Sequence, residues 1–425
     1  MSSSAGKENV FAAVIEFVKQ VDDIHSQVFL PTRQQKAIVL KEQAHLAIRD
    51  LDAIPIVLEK RQSKEDHAMY LYLRGKLLIV TSGYNQEAAQ HLTNALKLKK
   101  NIVDAWICLG TCVWERGHLD KAKICYKCGL EQDPNNKEIL HHLSAVGRKL
   151  CEGETDVENQ EEIISESIKH AKDAIGQDVH DGLSWYILGN ACLTAYFLTG
   201  TGDHDMLFQS LKAYKNAAKD KKMQESIELC YNSSMTYMFL ENYWMALVGF
   251  ERAGLMDPTC KSLRQTLNLR DVLDNIDSLL KKMNDAKGIP SPTSSLASVE
   301  LDPSYERATV DRLTEGLNEG KTVTGKVLFS VENRSKGPIY YIVCDYNRNC
   351  FVITIYGVRR TAIKEEDQVT LLDPFYHYFD FEWKGKQYQF NSVRVDLLRQ
   401  LCVNGAIVSP EHAIHRSMYT EFMEG

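Results

Sequence analysis

The chain has 425 residues, of which 44% are hydrophobic and 25% charged, and a net charge of −7. That length exceeds what a single core holds and implies two or three domains, while the acidic balance argues against a surface that coats nucleic acid. The 11 cysteines are scattered without framework spacing, which suits a reducing compartment and excludes a disulfide scaffold.

No apolar run approaches the ~20 residues that span a bilayer. The start, Met1-Ser2-Ser3-Ser4, has no signal core and no glycine after the first methionine for myristoylation. A soluble protein of cytoplasm and nucleus, with no membrane partner, is expected.

From about residue 8 to 60 apolar residues recur with helical period (Val10, Val14, Phe17, Val18; then Ile38, Ala44, Ile48, Leu51), broken at Pro31. They read as two helices capping a solenoid, whose terminal repeat needs an atypical outer face. A 34-residue lattice then takes over. With Val103 at position 1, Trp106 stands at 4, Leu109-Gly110 at 7 and 8, Ala122 at 20, Tyr126 at 24 and Pro134 at 32. The copy from Ile227 places Tyr237, Ala246, Phe250, Ala253 and Pro258 in the same register, and Trp185–Gly189 with Ser210, Tyr214 and Ala217 marks another. Small residues at 8, 20 and 27 let two antiparallel helices approach, and large ones at 4, 7, 11 and 24 fill the gap. Repeats are expected over 68–102, 103–136, 137–181, 182–226 and 227–260. The third is stretched by Cys151–Glu162, which holds six acids and no bases and reads as a mobile acidic loop. A closing helix over 261–283 follows.

After Lys287-Gly288-Ile289-Pro290 the helical pattern stops, and 284–321 reads as a linker. From Thr322 short β-branched and aromatic segments predict strands at 323–331, 339–344, 350–355, 368–372 and 388–395, with a short helical stretch at 360–366 and a hairpin turn at Trp383–Lys386. The expected architecture is an α solenoid of tetratricopeptide repeats over 1–283, a linker over 284–321, a small all-β OB-type barrel over 322–410 and a tail over 411–425. An SH3-like barrel is the alternative for the third part.

Catalytic motifs fail on inspection. Cys108, Cys112, Cys125 and Cys128 superficially resemble zinc ligands, but they fall at lattice positions 6, 10, 23 and 26, where small packing residues belong. Gly316–Thr322 is one residue short of a phosphate loop and follows no apolar strand. His141-His142 sits within a helical pattern and reads as a groove feature, not a catalytic pair. No nucleophile elbow or zincin motif occurs, so no enzyme, metal or cofactor is expected. The barrel's aromatics (Phe351, Tyr356, Phe375, Tyr376, Tyr378, Phe379, Phe381) read as barrel filling ahead of base stacking.

The inner face of the solenoid carries the functional reading. First-helix positions 2, 5, 9, 12 and 13 supply Asp104, Thr111, Trp114 and Glu115; Glu138, His141, Arg148 and Lys149; Tyr186 and Asn190; Glu228, Tyr231, Met235 and Met238. A solvated helix face is rich in Lys and Glu, whereas this mixture is the vocabulary of peptide capture. Arg148 and Lys149 suit a carboxylate, Glu228 a guanidinium or ammonium, and Asn190 a peptide backbone.

The run Val179–Asn190, with Gly325-Lys326-Val327, Lys384-Gly385-Lys386, Ser392–Val395 and Val403-Asn404-Gly405, resembles the family of tetratricopeptide repeat protein 5, the Strap-type stress-responsive cofactors. The resemblance runs from the first repeat to about residue 408. It implies a solenoid followed by an OB fold, and a non-enzymatic adaptor with two roles. One is capture of the nascent tubulin N-terminus (Met-Arg-Glu) at the ribosome, which through an mRNA-decay adaptor triggers tubulin mRNA decay. The other is a nuclear transcription cofactor that scaffolds histone acetyltransferase coactivators in the DNA-damage and stress responses. On the first, Glu228 pairs with the peptide's arginine and Arg148 with its glutamate. Ser262 stands where the family has a second acid, leaving Glu225 as the substitute. Lys281, Lys282 and Lys287 remain of the basic stretch expected to touch the ribosome.

Overall fold

The structure, a computed structural model, describes residues 16, 33–52, 64–82, 86–154, 156–198, 204–285, 303–334 and 338–413. Among these, 13 α-helices precede 10 strands. They form two compact units, residues 1–191 with 212–229, and residues 192–211 with 230–425.

The first unit contains α1 (Arg33–Asp52), α2 (Lys64–Ser82), α3 (Gln86–Leu98), α4 (Val103–Glu115), α5 (Leu119–Gln132), α6 (Lys137–Gly153), α7 (Val157–Gln177) and the short α10 (Lys221–Gln224). It also holds the first part of α8 (Gly182–Leu198) and the last part of α9 (His204–Ala217). The second expected capping helix is α1; the first, over residues 8–30, lies outside the described residues apart from Glu16.

The lattice has a direct steric cause. A Cβ on Gly110 would stand 2.4 Å from Cε1 of Tyr126, and one on Gly189 would stand 2.3 Å from Cε1 of Tyr214. Position 8 thus touches position 24 in both repeats, closer than any side chain permits, and the tyrosines are fully buried. In the next repeat Ser144 takes position 8, and its Oγ lies 3.1 Å from that of Ser167.

The acidic stretch 151–162 is not a loop. Helix α6 continues to Gly153 and α7 begins at Val157, where the Asp156 side chain accepts the Asn159 N–H at 3.1 Å. Acids are favoured in a first helical turn, where N–H groups lack partners. Composition read alone suggested mobility, but Asp156 caps α7 and Glu158 lies in its first turn, where a helix start uses acids.

The second unit combines α11 (Ile227–Phe239, from Cys230), α12 (Tyr243–Met256) and α13 (Ser262–Asp285) with the strands. β3 (Lys321–Val331), β4 (Ile339–Asp345) and β5 (Cys350–Ile355) form an antiparallel meander, and β6 (Gln368–Leu372) pairs with the first half of β3. The end of β8 (Lys386–Val395) runs parallel to β5, and the chain continues to β9 (Leu401–Val403), antiparallel to β6. One segment, Ser392–Val403, therefore reaches both edges and curls the sheet around Val327, Tyr341, Phe351, Ile353, Val369 and Val393.

All five expected strands are present, and the helical stretch is a 3-10 turn at Arg360–Ala362. Two features differ from the sequence reading. β1 (Glu306–Ala308) and β2 (Gly316–Leu317) lie in the stretch read as linker, and Ala308, Val310 and Leu313 enter the barrel core. β7 (Phe375–Trp383) pairs with β8 along its whole length, making a long hairpin arm whose tip, Lys384-Gly385, has φ of 49° and 79°. Positive φ at both turn residues matches the right-handed strand twist. The short β10 (Ala406–Ile407) completes the sheet.

Arg394 organises this unit. Only 3% exposed, it donates to the Phe239 carbonyl at 2.5 Å, to Tyr196 Oη at 3.0 Å and to Asp396 at 2.9 Å. Its guanidinium lies 4.0 Å from the Tyr356 ring centroid, and the Tyr356 hydroxyl donates to Glu241 at 3.2 Å. His204 Nε2 is 3.0 Å from Asp396 Oδ2, which the Arg394 Nε also reaches at 2.9 Å. Every strong donor of the arginine is matched, so helices and barrel are joined by one satisfied polar cluster.

Candidate functional site

Arg148 lies in the penultimate turn of α6. It is 5% exposed, its Nε has no hydrogen-bond partner, and among the described residues no carboxylate pairs with its guanidinium. A buried cation without a counter-charge is costly, so this position is energetically prepared for an anion.

Its surroundings are polar. The Tyr186 hydroxyl is pushed up to about 12 by burial, against a hydrogen bond to Asn190; the Glu228 charge raises it further and the Arg148 charge lowers it. Arg148, Asn190 and Glu228 thus all act on the Tyr186 hydroxyl. Glu228 is exposed in the first turn of α11, where the helix N-terminus favours an acid. Ser226 holds that turn, accepting from the Leu229 N–H at 3.1 Å and donating to Glu228 at 3.3 Å.

Other expected groove residues are placed differently. Asn190 is 1% exposed and its carbonyl oxygen accepts the Tyr214 hydroxyl at 2.7 Å. It supports the site from beneath and does not line it. Lys149 is neutralised by Glu152 at 3.2 Å. Tyr231, in the second unit, is buried with its ring 5.4 Å from Phe250, a packing position. Ser262 is fully buried with an unpartnered Oγ, whereas Glu225 is exposed. Lys281 and Lys282 are exposed on α13, Lys281 being paired with Asp277 at 3.0 Å, and Lys287 lies outside the described residues.

His141, Ser184 and Asp181 form a constellation that the sequence did not reveal. His141 Nε2 is 2.7 Å from Ser184 Oγ, and Ser184 donates to Asp181. The trio is not a nucleophilic triad. Ser184 is fully buried and its proton goes to the aspartate, while Asp181 also accepts the Ser184 N–H at 3.0 Å. It is an N-cap of α8 reinforced by a histidine whose burial pulls its pKa down to about 4.

The remaining motifs resolve as packing. Burial pushes the Cys112 and Cys125 thiols up to about 12 and about 11, and no metal-holding group of His, Cys, Asp or Glu occurs among the described residues. Gly320 N–H donates to Asp373 at 2.7 Å, so a carboxylate occupies the would-be phosphate loop. Phe351, Tyr356 and Phe379 are buried; Tyr378 is exposed. No helix among the described residues is long and apolar enough to cross a membrane.

Comparison with known proteins identifies the family. The family model for the tetratricopeptide repeat protein 5 OB fold domain matches residues 304–417, including the strands in the stretch first read as linker. Human tetratricopeptide repeat protein 5 is 34% identical over 363 residues, covering 81% of each chain, and the mouse protein is 34% identical over 362 residues with the same coverage. Among solved structures, a tetratricopeptide repeat protein of Thermus thermophilus aligns with a TM-score of 0.39 at 17% identity, covering 48% of this chain and 98% of its own. The repeats, the OB fold and an identity of this size over four-fifths of both chains support a protein-binding adaptor, and the chain belongs to the tetratricopeptide repeat protein 5 family.

Proposed function

We propose that the protein is a non-enzymatic adaptor whose groove captures the nascent tubulin N-terminus, Met-Arg-Glu, at the ribosome and thereby triggers tubulin mRNA decay. The observation that carries the reading is Arg148: a buried guanidinium with no carboxylate partner among the described residues, whose charge, like that of Glu228, acts on the Tyr186 hydroxyl. A peptide glutamate would supply the missing counter-ion and a peptide arginine would meet Glu228. Truncating one partner of the buried pair at Arg148 would cost about 2–5 kcal/mol, and the exposed pair at Glu228 about 0–1 kcal/mol.

The test is fluorescence-anisotropy binding of a Met-Arg-Glu peptide against its Met-Glu-Arg permutation. Binding of the first alone, lost in Arg148→Ala and at most modestly weakened in Glu228→Ala, is expected. Equal binding of both peptides, or unchanged binding in Arg148→Ala, would remove the groove from the tubulin reading. The remaining role would then be the nuclear one, a cofactor bridging acetyltransferase coactivators.

A further inference from the structure

The hairpin arm leaves one backbone edge open. Its turn contains two residues, so Trp383 and Lys386 are the hydrogen-bonded pair that closes it. Pairs alternate from there. Phe381, Phe379 and His377 turn amide and carbonyl towards β8, while Glu382, Asp380 and Tyr378 turn theirs away. The Tyr378 N–H accords with this, donating outward to Glu315 at 3.2 Å. β2 covers that edge only at Phe375 and Tyr376. Among the described residues no strand or side chain takes up the outward amides of Asp380 and Glu382.

The chemistry of the edge is one-sided. Tyr378, Asp380 and Glu382 are all exposed on one face, as residues two apart on a strand must be. Phe379 and Trp383 are buried on the other, Phe379 with its ring 4.9 Å from Tyr243. The two lysines of the tip are engaged elsewhere, Lys384 with Glu251, and Lys386 with Asp274 at 2.6 Å and Asp277 at 3.3 Å. His377 is paired with Glu315. Asp380 accepts only from the neutral Gln387 amide, so two carboxylates flank a row of open backbone groups with no base to balance them among the described residues.

We infer that β7 is a docking edge for an extended basic segment of another protein. The segment adds as a further strand beside Asp380 and Glu382 and sets lysine or arginine at alternate positions against the two carboxylates. A second copy of this chain is disfavoured, because self-pairing sets acid against acid. The site shares no residue with the groove around Arg148 and stands independently of it.

Full-length protein would be titrated with a labelled peptide of alternating lysine and threonine or valine. Its controls are the glutamate counterpart and a lysine–proline alternation of equal charge that cannot pair as a strand. The expected result is binding of the first peptide alone, with slowed hydrogen exchange at the Asp380 and Glu382 amides. The double variant Asp380→Lys, Glu382→Lys should weaken it at least about tenfold, and Glu382→Pro, which deletes one outward amide on an edge that tolerates proline, should also weaken it. Arg148→Ala should leave it unchanged. Equal binding of either control peptide, no binding of the lysine–threonine peptide, unaltered exchange at residues 378–383, or full affinity in the charge-reversed variant would overturn the inference.

Discussion

Two arginines are buried to nearly the same degree, one in each unit, and they are in opposite electrostatic states. Arg394, 3% exposed, is matched by a carbonyl, a phenol, a carboxylate and an aromatic face. Arg148, 5% exposed, has an Nε that bonds to nothing. Burial alone therefore does not say whether an arginine's charge is answered. The separating feature is whether neighbouring groups of the fold supply the counter-charge. A satisfied cluster stabilises the fold, whereas an unsatisfied one is tolerated at a cost that an incoming anion relieves.

The comparison breaks most visibly at Arg394. Substituting Arg394→Met strands Asp396 and the Phe239 carbonyl in a buried site, and a loss of about 3–5 kcal/mol is expected in chemical denaturation. The matching change, Arg148→Met, should leave stability in denaturant unchanged or slightly raised, while weakening binding of a Met-Arg-Glu peptide by about 2–5 kcal/mol in anisotropy. A large destabilisation by Arg148→Met would show that its charge is satisfied in the free protein and would end the contrast.

Smaller effects sharpen it. Gly189→Ala forces a Cβ into the ring of Tyr214, the same tyrosine that supports Asn190 under the groove. A cost of about 1–3 kcal/mol in denaturation is expected from overpacking, with peptide binding weakened alongside. The smallest effect concerns pH. His141 is lowered from its ordinary 6.5 to about 4, burial being the main cause and the charges of Lys137 and His142 opposing those of Asp181 and Glu138. The unfolded chain then binds more protons between these values, so stability is complete above about pH 6.5 and falls as pH drops towards 4. Denaturation midpoints measured from pH 7 to 5 should decline, and His141→Gln should flatten that decline.

Much of the architecture was legible because repeats restate it. Gly110 with Tyr126 and Gly189 with Tyr214 use the same steric contact at the same spacing, so the lattice is visible before any coordinates. The errors fell where context overrides composition. Six acids in twelve residues looked like a loop, yet most of the stretch is helical, and Asp156 and Glu158 serve the start of α7. The hairpin turn at Trp383–Lys386 was legible, but Phe375–Trp383 was not counted among the strands, because its aromatic run read as barrel filling. Ala308, Val310 and Leu313 are too few and too widely spaced to announce a core contribution.

In the groove, lattice position identified which helix face carries Arg148, Tyr186, Asn190 and Glu228, because 3.6-residue periodicity is a local property of the chain. It did not reveal that Asn190 is covered by Tyr214, that Lys149 is neutralised by Glu152, or that the Arg148 Nε has no hydrogen-bond partner among the described residues. Those outcomes depend on what other segments place within hydrogen-bonding distance, which spacing along one helix does not encode. The sequence by itself determined the repeats, the barrel strands and the polar character of one helix face, each set by short-range pattern. Only the tertiary structure decided which buried charges are answered, because pairing is a property of three-dimensional neighbours and its energy depends on burial and distance together.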